Sequence, residues 1–245
     1  MNLVSLEQKY SNALAALILG TCIMGSAGIA AFAFYRVHTL DNTLSVTGSA
    51  TQEAQADSAT LVTTLSHSVS EDSIAATQQH ISIDADHLVA SFIKSGIVNE
   101  HISVSPIFVD NEYSSDTNAP RRYNVHADVT IHSEDPILVQ KISKNIGIFA
   151  PQWSVVSAQA PQYLISSLPE MRVALIGKAV EDAKKRADQI AHATGRSVGL
   201  LQSAASGVVQ VLARNSVDVS DYGSYDTSTI DKTVMVTARA TFYLK

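Results

Sequence analysis

The stretch from Ala13 to Tyr35 carries no charged residue, and this constrains the fold more than any other feature of the chain. As a helix its 23 residues would be roughly 34 Å long, at about 1.5 Å per residue. The hydrocarbon core of a bilayer is about 30 Å thick, so such a helix can cross it. Aromatic residues cluster at one end, where they favour the membrane interface. The pattern predicts a transmembrane anchor between a short cytoplasmic tail, residues 1–12, and a linker, residues 36–43.

Two other interpretations of this stretch stay open. Ala31-Phe32-Ala33 has the form of a signal-peptidase site, but the apolar region of a signal peptide is about 7–15 residues long. Leu19-Gly20-Thr21 before Cys22 loosely resembles a lipoprotein signal, although threonine is unfavourable next to the cysteine. We favour a retained signal-anchor because the stretch is too long for either alternative. Lys9 before it and the single arginine after it do not decide its orientation.

The rest of the chain is acidic and almost free of cysteine. The formal net charge is −6, and the first 36 residues contribute +1, so the remainder carries −7. An acidic domain without a basic stripe argues against nucleic acid and against an anionic lipid surface as partners. The only cysteine, Cys22, lies inside the apolar stretch, so the soluble part forms no internal disulfide.

Hydrophobic periodicity in the soluble part predicts an α+β fold. Apolar residues alternate with polar ones in several short runs, which is typical of strands with one wet face. These strands are predicted at 44–48, 60–69, 102–108, 123–132, 153–165, 198–201, 208–213 and 233–244, with a polar break at 52–57. Helical spacing of apolar residues predicts helices after Glu71, after Asp135 and over 168–194. Strand pairs between helices favour a largely antiparallel sheet with two long helices.

The order of these elements predicts one soluble domain, 44–245, with two lobes. One lobe would join 44–98 to 168–245, with both long helices on one sheet. The other lobe would be 100–166. The soluble part is long enough to bury a core without disulfides or metals.

Histidines supply the only candidate ligand sites. His80, Asp84 and His87 recur at helical spacing, so they share one helix face and could hold a transition metal. That face lies about 100° from the apolar stripe, which predicts exposure to solvent. A solvated helix flank is the simpler interpretation, so the metal assignment stays unknown.

A second histidine group lies on one predicted strand. His126, Asp128 and His132 share its polar face and could form a proton relay or sensor if they were buried between subunits. A wet sheet face is the simpler interpretation. His67 lies on an apolar strand face, where a core histidine is expected.

Catalytic motifs are not apparent in the sequence. The soluble part has no cysteine, phosphate-binding loop or dinucleotide-binding glycine pattern. We therefore predict no enzymatic activity, no catalytic residue and no cofactor, and an unrecognised hydrolase ranks last. Two polar loops, 110–122 and 218–231, contain acidic residues and tyrosines, so they are interpreted as surface loops or protein contact sites without a calcium-binding pattern.

Several stretches carry a resemblance to a known family. They are Leu44-Ser45-Val46-Thr47-Gly48-Ser49-Ala50 with Asp57-Ser58-Ala59-Thr60, the segment Ala179-Val180-Glu181-Asp182-Ala183-Lys184-Lys185-Arg186-Ala187, and Val234-Met235-Val236-Thr237-Ala238-Arg239-Ala240-Thr241-Phe242. On these residues the chain resembles the SIMPL domain proteins, the YggE-like bacterial envelope proteins, over about 42–245. Ala56 stands where the family has a proline.

The resemblance implies an exported, non-enzymatic protein. Members of the family are linked to oxidative stress tolerance, and some form large ring-like or channel-like oligomers. With the anchor, this predicts a single-pass inner-membrane protein whose soluble domain lies in the periplasm and self-associates as a scaffold in the cell envelope. A second envelope protein is a further predicted partner. The alternative is a periplasmic module that senses a ligand or a metal.

Overall fold

The computed structural model describes residues 3–39, 42–113, 120–216, 220 and 222–245. Five helices and nine strands lie in these ranges. The helices are α1 (Leu3–Thr39), α2 (Ile74–Lys94), α3 (Pro136–Lys144), α4 (Ile146–Phe149) and α5 (Leu168–Ala193). The strands are β1 (Thr43–Gln55), β2 (Ser58–Ser70), β3 (Ile102–Val104), β4 (Phe108–Asn111), β5 (Arg122–Ser133), β6 (Val155–Ala158), β7 (Gln162–Leu164), β8 (Val198–Ala213) and β9 (Asp231–Leu244). The predicted α+β class with antiparallel sheets is confirmed.

The predicted apolar segment lies inside helix α1. The part of α1 from Leu17 to Tyr35 is long and apolar enough to cross a membrane, and its side chains are exposed. Exposed leucine, isoleucine and phenylalanine side chains on an uncharged helix are stable in lipid rather than in water. Helix α1 is therefore compatible with a single-pass anchor or with a signal sequence.

The chain divides into two compact units. The first unit contains Met1–Gly48, Ala183–Ala205 and Arg239–Lys245, and the second contains Ser49–Asp182 and Ser206–Ala238. The predicted lobes, 44–98 with 168–245 and 100–166, stay a prediction.

The second unit contains a six-stranded sheet built around β2 and β5. These two strands pair antiparallel from Ala59 opposite Ser133 to Ser70 opposite Arg122. The sheet order is β3-β5-β2-β6, with β4 also paired to β5 and β7 to β2. Sequence periodicity found both central strands but did not predict that they pair.

Helix α2 covers one face of this sheet and closes the largest core of the second unit. The buried strand residues alternate along β2 and β5, and the buried helix residues recur at helical spacing. They are Leu61, Leu65, Val125, Val129 and Ile131 from the strands and Ile81, Ala85, Leu88 and Phe92 from α2. Each fully buried valine, leucine, isoleucine or phenylalanine side chain contributes about 1.5–3 kcal/mol. Helix α2 ends at Lys94, and Gly96, which follows, has a φ of +106° that residues other than glycine rarely adopt.

The other sheet has three strands in the order β1-β9-β8. In the second unit, Leu175 of α5 packs with Val211 and Val234. In the first unit, Ala183 and Ala187 of α5 pack with strand residues that include Phe242. The small alanine side chains let the helix backbone approach the strands closely. The prediction that both long helices lie on one sheet is wrong, because α2 packs on the six-stranded sheet.

Four strand predictions differ from the structure, and one of them is 153–165, which is split into β6 and β7. The polar run 52–57 does not end β1, which continues to Gln55 and donates a side-chain hydrogen bond to Asp231 at 2.8 Å. An edge strand exposes these polar side chains to water while its neighbour satisfies the backbone. The predicted strands at 198–201 and 208–213 form one continuous strand, β8. The stretch 102–108 is split into β3 and β4, with Pro106 between them.

Candidate functional site

Asp84 on helix α2 is buried rather than exposed. The hydroxyl of Ser154 donates a hydrogen bond of 2.5 Å to Oδ2 of Asp84. The expectation that His80, Asp84 and His87 form one solvated face is therefore wrong for Asp84. The two histidines remain exposed, but the carboxylate between them faces Ser154. Across the described ranges, no group of three or more His, Cys, Asp and Glu side chains is placed to hold a metal ion.

The single tryptophan stacks with two of the histidines. The ring centroids of Trp153 and His67 are 4.0 Å apart, with planes inclined by 15°. The ring centroids of His80 and Trp153 are 4.5 Å apart, with an inclination of 24°. Stacking therefore accounts for His67 on its apolar strand face, as predicted for a core histidine, and it gives His80 a structural contact.

The polar face of the six-stranded sheet carries the second predicted group. Asp128 accepts a hydrogen bond of 2.6 Å from the hydroxyl of Thr64. His126 stacks on Phe108, and its Nδ1 lies 3.6 Å from a carboxylate oxygen of Asp110. Each residue thus contacts a partner on a neighbouring strand, and the group does not converge on one point.

His132, the third member of this group, has different neighbours. Its Nδ1 lies 3.3 Å from the hydroxyl of Thr60. Its ring also meets the ring of His101, which the sequence prediction did not single out. The sequence did contain one indication that His101 lies near the sheet, because it directly precedes Ile102, the first residue of β3.

Strand β8 has an unusual composition for an edge strand. Its 16 residues, Val198–Ala213, include no charge and no proline. Among the described strands it lies at one edge of the three-stranded sheet, with β9 as its neighbour there. Its residues from Leu200 to Ser206 are all exposed, with Leu200 at 77% and Leu201 at 47%. Natural proteins usually protect such edges with charges, proline or a covering segment.

A loop segment covers the other end of β8. The N–H of Val211 donates to the carbonyl oxygen of Ser224 at 2.8 Å, and the carbonyl oxygen of Val211 accepts from the N–H of Asp226 at 2.8 Å. Gln210 adds a side-chain hydrogen bond of 3.0 Å to the carbonyl oxygen of Ser220. The open edge is therefore the part of β8 from Leu200 to Ser206, which we call the open β8 edge.

An ion pair holds the covering loop. The ammonium of Lys232, whose side chain is fully buried, lies 3.3 Å from a carboxylate oxygen of Asp226. Burial raises the pKa of Asp226, but hydrogen bonds from Ser228 and Thr229 and the charge of Lys232 outweigh it, so this pKa lies far below its usual value. Burial lowers the pKa of Lys232, and the contacts with Asp226 only partly offset this.

The acidic loops show no calcium geometry in their described parts. Asp226 accepts from Ser228 and contacts Lys232, and Asp231 accepts from Gln55. Asp218 and Asp221 of the same loop, and positions 114–119 of the other, lie outside the described residues. Tyr222 is exposed, which fits the predicted surface loop.

Together, these features define a class of protein: an α+β protein of two compact units with, among the described residues, one long apolar helix near the N-terminus. The family model that matches the chain is SIMPL, described as "Protein of unknown function (DUF541)", and it covers residues 44–242. The chain belongs to the SIMPL family, and the predicted family is confirmed.

Comparisons with individual proteins add little. No curated protein matches the chain. One solved structure with a weak similarity is the 3-hydroxy-3-methylglutaryl-coenzyme A reductase of Streptococcus pneumoniae, at 12% identity and a TM-score of 0.20. The alignment covers 78% of this chain and 59% of that one. A similarity at this level carries no argument about fold or activity.

Proposed function

We propose that this protein is a non-enzymatic scaffold of the bacterial cell envelope, anchored by α1 in the inner membrane, whose domain self-associates in the periplasm. The observation that carries the proposal is the open β8 edge, Leu200–Ser206. An exposed edge presents unpaired backbone N–H and C=O groups, which can pair with a strand of another molecule. The uncharged sequence of β8 offers no repulsion against such pairing.

A second copy of the same chain is the partner that fits this edge best. The three-stranded sheet has two edges, β8 and β1, and β1 carries only one charged residue, Glu53. Pairing of β8 with β8 would give a closed dimer. Pairing of β8 with β1 would repeat from copy to copy and give a ring or a chain. Tethering in one membrane raises the effective concentration of the copies and favours either arrangement.

Two further parts of the proposal depend on the family. The SIMPL family is one of unknown function and is not a known enzyme family, so the proposal assigns the chain no catalytic step. The resemblance to members that form rings and that contribute to oxidative stress tolerance supports an assembly in the envelope as the working form.

Cysteine crosslinking in native membranes tests the assembly. In a Cys22→Ala background, which removes the only natural cysteine, Ser203→Cys places a thiol on the open β8 edge. Thr47→Cys places one on the exposed part of β1. On mild oxidation, Ser203→Cys alone gives dimers if β8 meets β8, whereas the double variant gives a ladder of multimers if β8 meets β1.

Val173→Cys is the matched control, because it places a thiol on an equally exposed position of α5. Crosslinking of the strand variants no greater than that of this control would contradict the proposal. Labelling of Ser203→Cys in intact cells with a membrane-impermeant maleimide tests the compartment. Labelling without inner-membrane lysis is expected for a periplasmic domain, and labelling only after lysis would contradict it.

The alternative function, a periplasmic module that senses a ligand or a metal, retains one supporting observation. On helix α2 the Asp84 carboxylate bonds to Ser154, which weakens the candidate formed with His80 and His87. On the sheet, however, His132 meets the ring of His101. A melting temperature that rises with zinc, nickel or copper would favour this alternative.

A further inference from the structure

His101, the last residue of the turn before β3, lies beside His132 on β5. Strand β3 pairs antiparallel with β5, with Ile102 opposite Ile131. The preceding residue on one strand therefore faces the following residue on the other, which places His101 beside His132. Their ring centroids are 5.7 Å apart, and the ring planes are inclined by 73°. This contact joins two imidazoles that are distant in the sequence.

We propose that His101 and His132 form a binding site for a divalent transition metal of the zinc, nickel and copper group. Imidazole nitrogen is a preferred ligand of these ions, at about 2.0–2.1 Å for zinc. Side chains directly opposite each other on antiparallel strands have Cβ atoms about 4.5–5.5 Å apart. Two histidines at that separation can each direct one ring nitrogen to a single ion between them.

The surroundings of His132 hold its ring in place. The hydroxyl of Thr60, on the neighbouring strand β2, lies 3.3 Å from Nδ1 of His132. This contact leaves Nε2 as the nitrogen available to a metal. A second contact of this kind orients most metal-binding histidines in proteins. His101 is exposed, so an ion from solvent can reach the pair.

Acidic side chains line a cavity beside His132. His132 lines a cavity of about 570 Å³ together with Asp57, Glu134, Ser58 and Ser166. The backbone N–H and the hydroxyl of Ser166 both donate to Asp57, at 2.8 and 2.7 Å. Burial raises the pKa of Asp57, but these hydrogen bonds outweigh it, so the pKa lies below its usual value and the carboxylate is charged. The carboxylate of Asp57 thus adds negative charge to the cavity that His132 lines.

The coordination would be completed by water. Within the described parts of the chain, no third His, Cys, Asp or Glu side chain joins this pair in a ligand set. A site of two histidines and water molecules binds a metal ion more weakly than a closed site of four protein ligands. The site is therefore suited to reversible binding rather than to a structural metal, and it does not depend on self-association through β8.

Calorimetric titration of the untagged full-length protein in detergent with Ni²⁺ tests the site. We expect one ion per chain. His101→Ala and His132→Ala should each weaken binding by at least about tenfold, because each removes one of two ligands. His87→Ala is the matched control, since it removes an exposed histidine of α2 and should leave the affinity unchanged.

A spectroscopic measurement distinguishes ligation from a change in folding. His101 lies in an exposed turn, so His101→Gln should keep the wild-type melting temperature while it removes the imidazole. Electron paramagnetic resonance of bound Cu²⁺ should show two nitrogen ligands in the wild type and fewer in His101→Gln. Absence of saturable Ni²⁺ binding, or equal binding by wild type, His101→Ala and His132→Ala, would overturn the proposal.

Discussion

The buried ammonium of Lys232 donates to both the backbone carbonyl oxygen and the carboxylate of Asp226. Asp226 also donates its backbone N–H to Val211 on β8. The ion pair thus holds the loop that covers one end of this edge strand, and it leaves the open β8 edge uncovered. The loop that contains this ion pair occupies the edge of β8 at Val211.

Replacement of Lys232 by methionine should destabilise the protein. The substitution keeps the length of the side chain but leaves the Asp226 carboxylate without its cation. Removing one partner of a fully buried pair costs about 3–5 kcal/mol. We expect about 2 kcal/mol here, because the side chain of Asp226 is 20% exposed. Chemical denaturation followed by circular dichroism measures the loss.

The double variant Asp226→Asn with Lys232→Met is the control, since it removes both charges. It should recover part of the lost stability, because no uncompensated charge remains. A midpoint of unfolding for Lys232→Met equal to that of the wild type would show that the pair contributes nothing to stability.

Acid should weaken the protein through the same carboxylate. The pKa of Asp226 in the folded state lies below that in the unfolded chain, so the folded state binds the proton less readily. This stabilisation is fully present above the pKa of the carboxyl group in the unfolded chain, about 3.9. It is lost as the pH falls from there toward the pKa of the folded state. We expect the melting temperature to fall steeply below about pH 4. The Asp226→Asn variant should show a shallower fall, and an equal slope would exclude this carboxylate as the cause.

Substitution of Thr63 by valine should stabilise the protein. Thr63 is fully buried on the apolar face of β2, and its hydroxyl has no hydrogen-bond partner within the described part of the chain. An unpaired buried hydroxyl costs about 1–3 kcal/mol, so a methyl group in its place should raise the unfolding free energy by about 1 kcal/mol. Equilibrium urea denaturation measures the gain.

Thr64→Val is the matched control on the next residue. The hydroxyl of Thr64 donates to Asp128 at 2.6 Å on the opposite face of the sheet. Its loss should lower the unfolding free energy by about 1 kcal/mol or more. If both substitutions changed stability in the same direction, the assignment of the two hydroxyls would be wrong.

Gly207 of β8 lies against Thr237 of the neighbouring strand β9. A Cβ atom at this position would collide with the side-chain oxygen of Thr237 and lie 3.1 Å from its backbone oxygen. We expect Gly207→Ala to lower stability by about 1–3 kcal/mol, as for other overpacked sites. The combination with Thr237→Ala removes the first contact and should restore part of the loss. A thermal melt of Gly207→Ala that matches the wild type would contradict this.

Local sequence patterns predicted much of the fold. Alternation identified β2, β5 and β9, and helical spacing identified α2 and α5. The helix predicted after Asp135 is α3, and the Asp135 carboxylate caps it by accepting from the N–H groups of Ile137 and Leu138 at 3.0 and 3.1 Å. These features depend on neighbours in the sequence, so periodicity and capping rules can find them.

The features that sequence reasoning missed depend on distant residues. Asp84 is buried because Ser154, 70 positions away, bonds to it. The meeting of His101 with His132 requires the pairing of β3 with β5. The burial of Lys232 could have been predicted from the sequence, because Lys232 shares the alternation of Val234 and Val236 on the buried face of β9.

The most direct test of the account is the mass of the full-length protein in detergent, measured by light scattering with the detergent contribution subtracted. One chain has a mass of 26.2 kDa. The wild type is expected to give a defined multiple of this mass. The double variant Leu200→Lys with Leu201→Lys should give the monomer, because charges on an edge strand oppose pairing.

A control pair with lysines at other exposed apolar positions, Ile148→Lys with Val173→Lys, should keep the wild-type mass. All variants keep helix α1, so a loss of mass confined to the β8 variant would assign the assembly to the open β8 edge. A monomeric wild type, or an unchanged multimer in the Leu200→Lys/Leu201→Lys variant, would contradict the account.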